Sequence, residues 1–274
     1  MAKQGLVSRE IEDFYNKASE EDRLNSGLGM FEFERIKALI SRFLSKDSLL
    51  VDVGGGTGKY AEWLAQLGHT VYLIEPLDKH LKLAEKRATK FKARFKVIKG
   101  EAQALDFPSE KADVVILHGP LYHLQQEGAR LKAIQEAKRV LKPGGVILGF
   151  AINYSASTIV GLMNGLIHVP SFLAMCQEEL STGMHQAPAD LPGMMAEAYY
   201  HKPAQLKAEF EACGLEVDKL YAVEGMTWLD KSYFESMLNK QKRKNLDAIS
   251  LLTENDEQLL TLSPHMMIAA YKPQ

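Results

Sequence analysis

The apolar positions of this 274-residue chain follow two periods that alternate along its first half. Short runs rich in apolar residues occur at 49–53, 70–75, 94–99, 113–117 and 146–152, the one at 113–117 almost continuously apolar. Runs of that kind suit strands buried on both faces of a parallel sheet. Between them, apolar residues return every three or four positions. Tyr60, Trp63, Leu64 and Leu67 keep this spacing until Gly68, and Leu131, Ile134, Ala137 and Leu141 keep it until Pro143-Gly144-Gly145. These are amphipathic helices stopped by glycine or proline. Strand and helix alternating in this way predict right-handed crossovers and a parallel α/β sheet.

The pattern changes at both ends. Residues 8–45 predict two helices around a polar, glycine-containing loop at 19–29, the second with Ile36, Leu39, Ile40 and Phe43 on one face. A helical cap over a sheet edge is the expectation, with Tyr15 and Arg23 as candidates for reaching a ligand from it. After residue 152 the alternation breaks. Ile159, Leu162, Met163, Leu166 and Ile167 form an apolar helical stripe, and a Gly-, Pro- and Met-rich passage runs on to Tyr200. A helix at 203–213, a strand at 215–224, a helical insert near 229–252 and a last strand at 265–271 follow. The expected organisation is a single domain: an N-terminal cap (1–45), a cofactor-binding core (46–152), a lid insertion (153–202), and the rest of the sheet (203–274) with a helical insert at 226–262. Both inserts begin near the carboxyl edge of the sheet, where α/β folds bind ligands.

Composition narrows the function. With 33 Lys and Arg against 35 Asp and Glu, the net charge is −2, so no bulk positive field favours nucleic acid or an anionic membrane. Cys176 and Cys213 form no CxxC pair, which leaves no disulfide framework or structural zinc motif. Residues 144–177 lack Asp, Glu, Lys and Arg, but Asn153, Asn164, His168 and Pro170 interrupt them before the ~20 apolar residues of a membrane span. The first ten residues hold no apolar signal-peptide core, so the cytoplasm is the expected compartment.

The candidate chemistry gathers at Leu49–Tyr60, where Leu-Leu-Val-Asp-Val runs into Gly54-Gly55-Gly56-Thr57-Gly58-Lys59-Tyr60. A strand, a tight turn and a helix N-terminus bring backbone N–H groups against a ligand. A P-loop would need Ser or Thr after Gly58-Lys59, where Tyr60 stands. A dinucleotide fingerprint fits Gly54, Gly56 and the acid Glu75 but would need glycine at Lys59. The spacing GxGxG after Val-Asp-Val resembles that of class I S-adenosylmethionine-dependent methyltransferases. Four more stretches resemble the same family: Leu-Ile-Glu75-Pro76, Gly100-Glu101-Ala102, Arg139–Gly145, and Gly119-Pro120-Leu121-Tyr122-His123-Leu124. The last one, with Ala198-Tyr199-Tyr200-His201-Lys202-Pro203 and Leu262-Ser263-Pro264-His265, is similar to a bacterial small-molecule subgroup.

The resemblance implies a Rossmann-like, seven-stranded, mostly parallel sheet whose last strand is antiparallel. It implies S-adenosyl-L-methionine as cofactor, held at Gly54, Gly55, Gly56 and Gly58. Glu75 and Pro76 would meet the ribose, Glu101 and Ala102 the adenine, and His118 and His123 the methyl end. Glu101 stands where the family more often has Asp. His123, Tyr199 and His201 are the candidate catalytic residues, with histidine suited to a general base near neutral pH. Gly119-Pro120-Leu121-Tyr122 departs from the (Asn/Asp)-Pro-Pro-(Tyr/Phe) segment of enzymes that methylate base or glutamine amino groups. The expected acceptor is therefore an O, N or C nucleophile of a small or medium organic molecule, with no nucleic-acid or membrane partner and no metal. Two other readings stand beside this one: an NAD(P)-dependent oxidoreductase, and a protein that binds S-adenosylmethionine without turning it over.

Overall fold

The computed structural model describes residues 11–12, 14–15, 27–91 and 94–274. Arg23 lies outside them, as does most of the first expected helix. The described chain opens with α1 (Gly27–Ser41), then β1 (Leu49–Val53), α2 (Lys59–Gln66), β2 (Thr70–Glu75), α3 (Asp78–Ala88), β3 (Phe95–Lys99) and β4 (Ala112–His118). Next come a single turn, α4 (Pro120–His123), then α5 (Glu127–Val140) and β5 (Leu141–Ile152). The first insert holds α6 (Ala156–Asn164), α7 (Pro170–Thr182), β6 (Met184–Gln186) and β7 (Glu197–Tyr199). The chain rejoins the sheet through α8 (Pro203–Ala212) and β8 (Glu216–Ala222), inserts α9 (Tyr233–Leu238) and α10 (Lys240–Thr253), and ends with β9 (His265–Tyr271).

The main sheet has seven strands in the order β3-β2-β1-β4-β5-β9-β8. Neighbours from β3 to β5 are parallel, and β9 runs antiparallel to both β5 and β8. The aliphatic runs explain how this sheet is held. Side chains alternate between faces along a strand, so Leu50, Leu73, Ile116 and Leu148 join Ile36, Leu39 and Leu64 in one core. Val51, Ile74, Val115 and Ile147 join Ile134, Leu206 and Phe210 in the other. Neither face is left to water, and the sheet sits between two helical layers.

Strand order reverses at β1 and β4. After β1 the chain adds strands on one side, and after β3 it crosses back to lay β4 against the other edge of β1, with Val53 paired to Leu117. Chains leaving two neighbouring strands in opposite directions open a crevice beyond their carboxyl ends. Gly54 and His118 begin the two walls of that crevice.

The first insert is tied back to the end of β5. His201 N donates to Ile152 O (2.8 Å), Tyr154 N donates to His201 O (3.0 Å), and buried Asn153 donates through Nδ2 to Leu260 O (2.8 Å). The insert differs in detail from the expected stripe. α6 ends at Asn164 before Gly165 (φ 83°), and Leu162 and Met163 are 64% and 50% exposed. The second insert packs on α1 and α6 through Trp228, Tyr233, Phe31 and Ile159. Among the described residues no helix is long and apolar enough to cross a membrane.

Candidate functional site

The glycine turn after β1 is shaped by close approach. Gly54 has φ 75°, and a Cβ there would lie 2.8 Å from His118 O and 2.9 Å from Pro120 Cδ. Only glycine lets β1 and β4 exit this close together. Gly56 has φ 55° but faces open space, since a Cβ would meet nothing nearer than His80 Nδ1 at 3.9 Å. The two glycines therefore differ in purpose: the first packs protein on protein, the second leaves backbone bare to a ligand. At Gly58 a Cβ would strike Phe95 Cζ at 2.9 Å, so this residue seats the N-terminus of α2 on the core and does not line the cavity.

An open cleft enclosing about 1000 Å³ lies over this turn. Its lining includes Gly54, Gly55 and Gly56, Glu75 and Pro76 from the end of β2, Glu101 and Ala102 after β3, and His118, Tyr122 and His123 from the β4 side. Ile11 and Tyr15 close it from the N-terminal segment. Thus every expected cofactor residue but Gly58 and the undescribed Arg23 stands on one cavity.

The carboxylates there are in different states. Glu75, 3% exposed, accepts from Gly56 N (3.0 Å, Oε2) and Leu77 N (3.1 Å, Oε1), and His80 Nδ1 lies 3.3 Å from Oε1. A carboxylate has about four acceptor sites, so Glu75 braces the turn and keeps one for a ligand. Glu101 has no side-chain hydrogen bond among the described residues and is open to the cavity. Asp52, just before the glycines, is sealed at 1% exposure, and its Oδ2 has no partner among the described residues. Burial, with the nearby Glu75 charge adding to it, pushes its carboxyl up to about 7. Nothing in the Val-Asp-Val string distinguishes this acid from a solvated one; its state comes from the cover the fold places over it.

On the β4 wall, His118 stacks on Phe150 (ring centroids 4.6 Å, 26° between planes) and tilts against Tyr60 at 5.1 Å. Gly119 O accepts from Tyr122 N and His123 N, both at 3.1 Å, which forms the one-turn α4 and turns both side chains to the cavity. His123 Nε2 is 2.9 Å from the Tyr15 hydroxyl, and its buried Nδ1 has no partner among the described residues. Desolvation, reinforced by His80, brings its pKa down to about 4, so the ring is neutral at pH 7. Tyr15 is itself held: Lys79 Nζ donates to its carbonyl (2.7 Å), and its ring meets that of His80 edge-on at 5.0 Å.

Tyr199 and His201 do not line this cavity. Tyr199 lies 3.7 Å beneath the guanidinium of Arg130, and His201 Nε2 is 3.3 Å from Glu209 Oε2. Lys59, Tyr60 and His80 do line it, although sequence reasoning did not single them out. His80 had a usable signal, because the first turn of α3, immediately after the β2 acid, must point back at that acid.

The α/β sheet, its switch point and this cleft define a Rossmann-like ligand-binding fold. Residues 51–149 match the family model of a methyltransferase domain. The protein arginine N-methyltransferase 1 of Dictyostelium discoideum is 30% identical over 115 residues, 41% of this chain and 34% of that protein. A ubiquinone biosynthesis O-methyltransferase of Azorhizobium caulinodans is 23% identical over 171 residues, 62% of this chain and 60% of the relative. The chain therefore covers less than two thirds of these relatives' length. Among solved structures, a SAM-dependent methyltransferase of Methanosarcina mazei superposes with a TM-score of 0.61 at 18% identity, covering 86% of this chain and 97% of the other. The family match falls on the core from β1 to β5.

Proposed function

We propose that the chain transfers the methyl group of S-adenosylmethionine to an O, N or C nucleophile of a small or medium organic molecule. The observation that carries this reading is the cavity itself. It places a bare glycine turn, the braced Glu75 and the open Glu101 on one wall, and an aromatic wall of Tyr122, His118 and His123 on the other. Two acids and a bare backbone suit the hydroxyls and exocyclic amine of an adenosine, and acids suit a sulfonium cation. S-adenosylmethionine supplies an electrophilic methyl carbon when bound. The acceptor's electron pair forms the new bond to that carbon, the carbon–sulfur bond breaks, and its electron pair leaves on sulfur as S-adenosylhomocysteine.

The residues of this chain bind, align and dry the site. Alignment of reactants is worth up to ~7–11 kcal/mol in well-oriented cases, which makes covalent help from the protein unnecessary. His123, with its pKa near 4, is a poor proton acceptor at pH 7, because a general base works best near the working pH. Its role in this reading is that of a neutral hydrogen-bonding group poised by Tyr15, and the acceptor's proton passes to solvent.

Calorimetric titration with S-adenosylhomocysteine tests the site. Glu75→Ala removes a charge-assisted acceptor and should weaken binding by about 1–3 kcal/mol; an unchanged affinity would refute the ribose assignment. Incubation of the enzyme with S-adenosylmethionine and a broad panel of phenols, amines and carboxylic acids should release S-adenosylhomocysteine. Binding without product from any of them favours a non-catalytic cofactor-binding protein.

A further inference from the structure

Outside the cavity lies a buried ionic cluster that the proposed chemistry does not use. Arg130, on α5, is 1% exposed, and its partner Glu209, on α8, 3%. Its Nε and Nη2 donate to the Glu209 carboxylate at 3.0 and 2.6 Å. Its Nη1 donates to Leu124 O (3.1 Å) and Gln125 O (2.6 Å), and the guanidinium plane covers the Tyr199 ring at 3.7 Å. The other Glu209 oxygen meets His201. Burial keeps His201 toward its neutral form, while hydrogen bonds from His201 and Arg130 outweigh the burial of Glu209 and keep it ionised.

A buried ion pair contributes little net stability, because desolvation cancels most of the attraction. What this pair does supply is geometry. α4 is one turn long, and the carbonyls where the chain leaves it have no following helical turn to bind them. Arg130 binds two of them, and one belongs to Leu124, which lines the cavity directly after Tyr122 and His123. The same guanidinium clamps the ring of Tyr199 at the end of β7, where the first insert rejoins β5 through His201. Arginine suits this position because its planar fork binds a carboxylate, two carbonyls and an aromatic face at once; lysine cannot.

We infer that Arg130, Glu209 and Tyr199 form a positioning unit that locks the Tyr122–Leu124 wall of the cavity to the closing end of the first insert, so that wall and insert move together. The inference rests on the proposed cofactor reading of the cavity. It gives Tyr199 and His201 a supporting role in place of contact with substrate.

The test compares Arg130→Lys and Glu209→Gln with Glu179→Gln, which alters an equally buried carboxylate inside the first insert. Glu179 is 0% exposed and bonds His185 (2.5 Å) and Ser157 (3.0 Å), with none of the three lining the cavity. Two readouts are taken: S-adenosylhomocysteine affinity by calorimetry, and the ring nitrogen resonances of His123 by NMR. Arg130→Lys and Glu209→Gln should weaken binding about fivefold or more and shift the His123 resonances. Glu179→Gln should lower the melting temperature and leave both unmoved. Wild-type values in the Arg130 and Glu209 variants, or equal changes in all three, overturn the inference. Tyr199→Leu, which spares the ion pair, carries the same comparison should the other two fail to fold. If the wild-type protein binds no S-adenosylhomocysteine, the cofactor reading fails, and the His123 resonances, which need no ligand, still decide the positioning unit.

Discussion

Burial shifts both Asp52 and His123 toward their neutral forms, but their effects on stability have opposite signs. Asp52 titrates near 7 when folded, against an ordinary value of 3.8. The folded state therefore binds the extra proton between these values, and its stability falls as pH rises through them. His123 titrates near 4 when folded against 6.5, so there the unfolded chain holds the extra proton and stability rises with pH. The two oppose each other between about pH 4 and 6.5, and above that only Asp52 contributes. Its full cost is on the order of 4 kcal/mol, at 1.36 kcal/mol per pH unit of displacement. Asp52→Asn should thus be more stable than wild type by a few kcal/mol at pH 8 and nearly equal to it at pH 4, as urea denaturation at the two pH values would show. An Asp52→Asn protein with unchanged stability at pH 8 would mean the carboxyl is ionised at ordinary cost. His123 could be singled out from the Gly119–Leu124 motif because histidine is suited to proton transfer near neutral pH. Asp52 could not, because its state depends on Leu73, Gly55 and the helices above them.

At the scale of elements, legibility followed the source of each element's stability. β2 and β9 match their expected bounds to the residue, and β4 extends one residue at each end. The central positions of these strands are covered on both faces and are apolar, with polar residues such as Thr70, Glu75, Asp113, His118 and His265 at or next to their ends, and the pattern shows it. The β6–β7 ladder was not legible. It has three residues per strand and is placed by a contact remote in sequence: Gly183, with φ 82°, lies so close to Tyr200 that a Cβ would sit 2.6 Å from its carbonyl. The expected stripe on 159–167 holds in part, with Ile159, Leu166 and Ile167 packed inward, and departs at Leu162 and Met163 for a related reason. α6 meets α7 through Gly161, where a Cβ would come within 2.5 Å of Phe172 Cε1. The contact face is thus set by a glycine, which no count of apolar positions registers, and Leu162 and Met163 point outward. Gly161→Ala should overpack this junction and cost about 1–3 kcal/mol, seen as a lower melting temperature. S-adenosylhomocysteine affinity should stay within about twofold, since neither helix lines the cavity. A large loss of affinity would mean that the first insert reaches the cofactor site directly.

For the molecule as a whole, the decisive question is which ligand the switch-point crevice stabilises. The order β3-β2-β1-β4-β5-β9-β8 by itself admits a dinucleotide or an adenosyl sulfonium, since both lie across carboxyl ends of strands. The details around the turn separate them. A pyrophosphate needs a close helix N-terminus and a glycine where Lys59 begins α2. Here Gly58 already anchors α2 to Phe95, and the turn's free face is at Gly56, next to Glu75. A diphosphate at Gly56 would bring two negative charges against that carboxylate, while the hydroxyls of a ribose would find an acceptor. A ligand that binds only the folded chain raises its stability by about 2.7 kcal/mol at a hundred times its dissociation constant. For a protein of this size that corresponds to a rise in melting temperature of roughly 5–10 °C. S-adenosylhomocysteine at saturating concentration should produce this shift, and NAD(H) at the same concentration should produce none. The shift with S-adenosylhomocysteine should shrink by several degrees in Glu101→Ala, because the proposed function makes its open carboxylate the acceptor on the adenine side. Stabilisation by NAD(H) with none by S-adenosylhomocysteine would instead assign the crevice to a nicotinamide cofactor, and the methyl-transfer reading would fall with it.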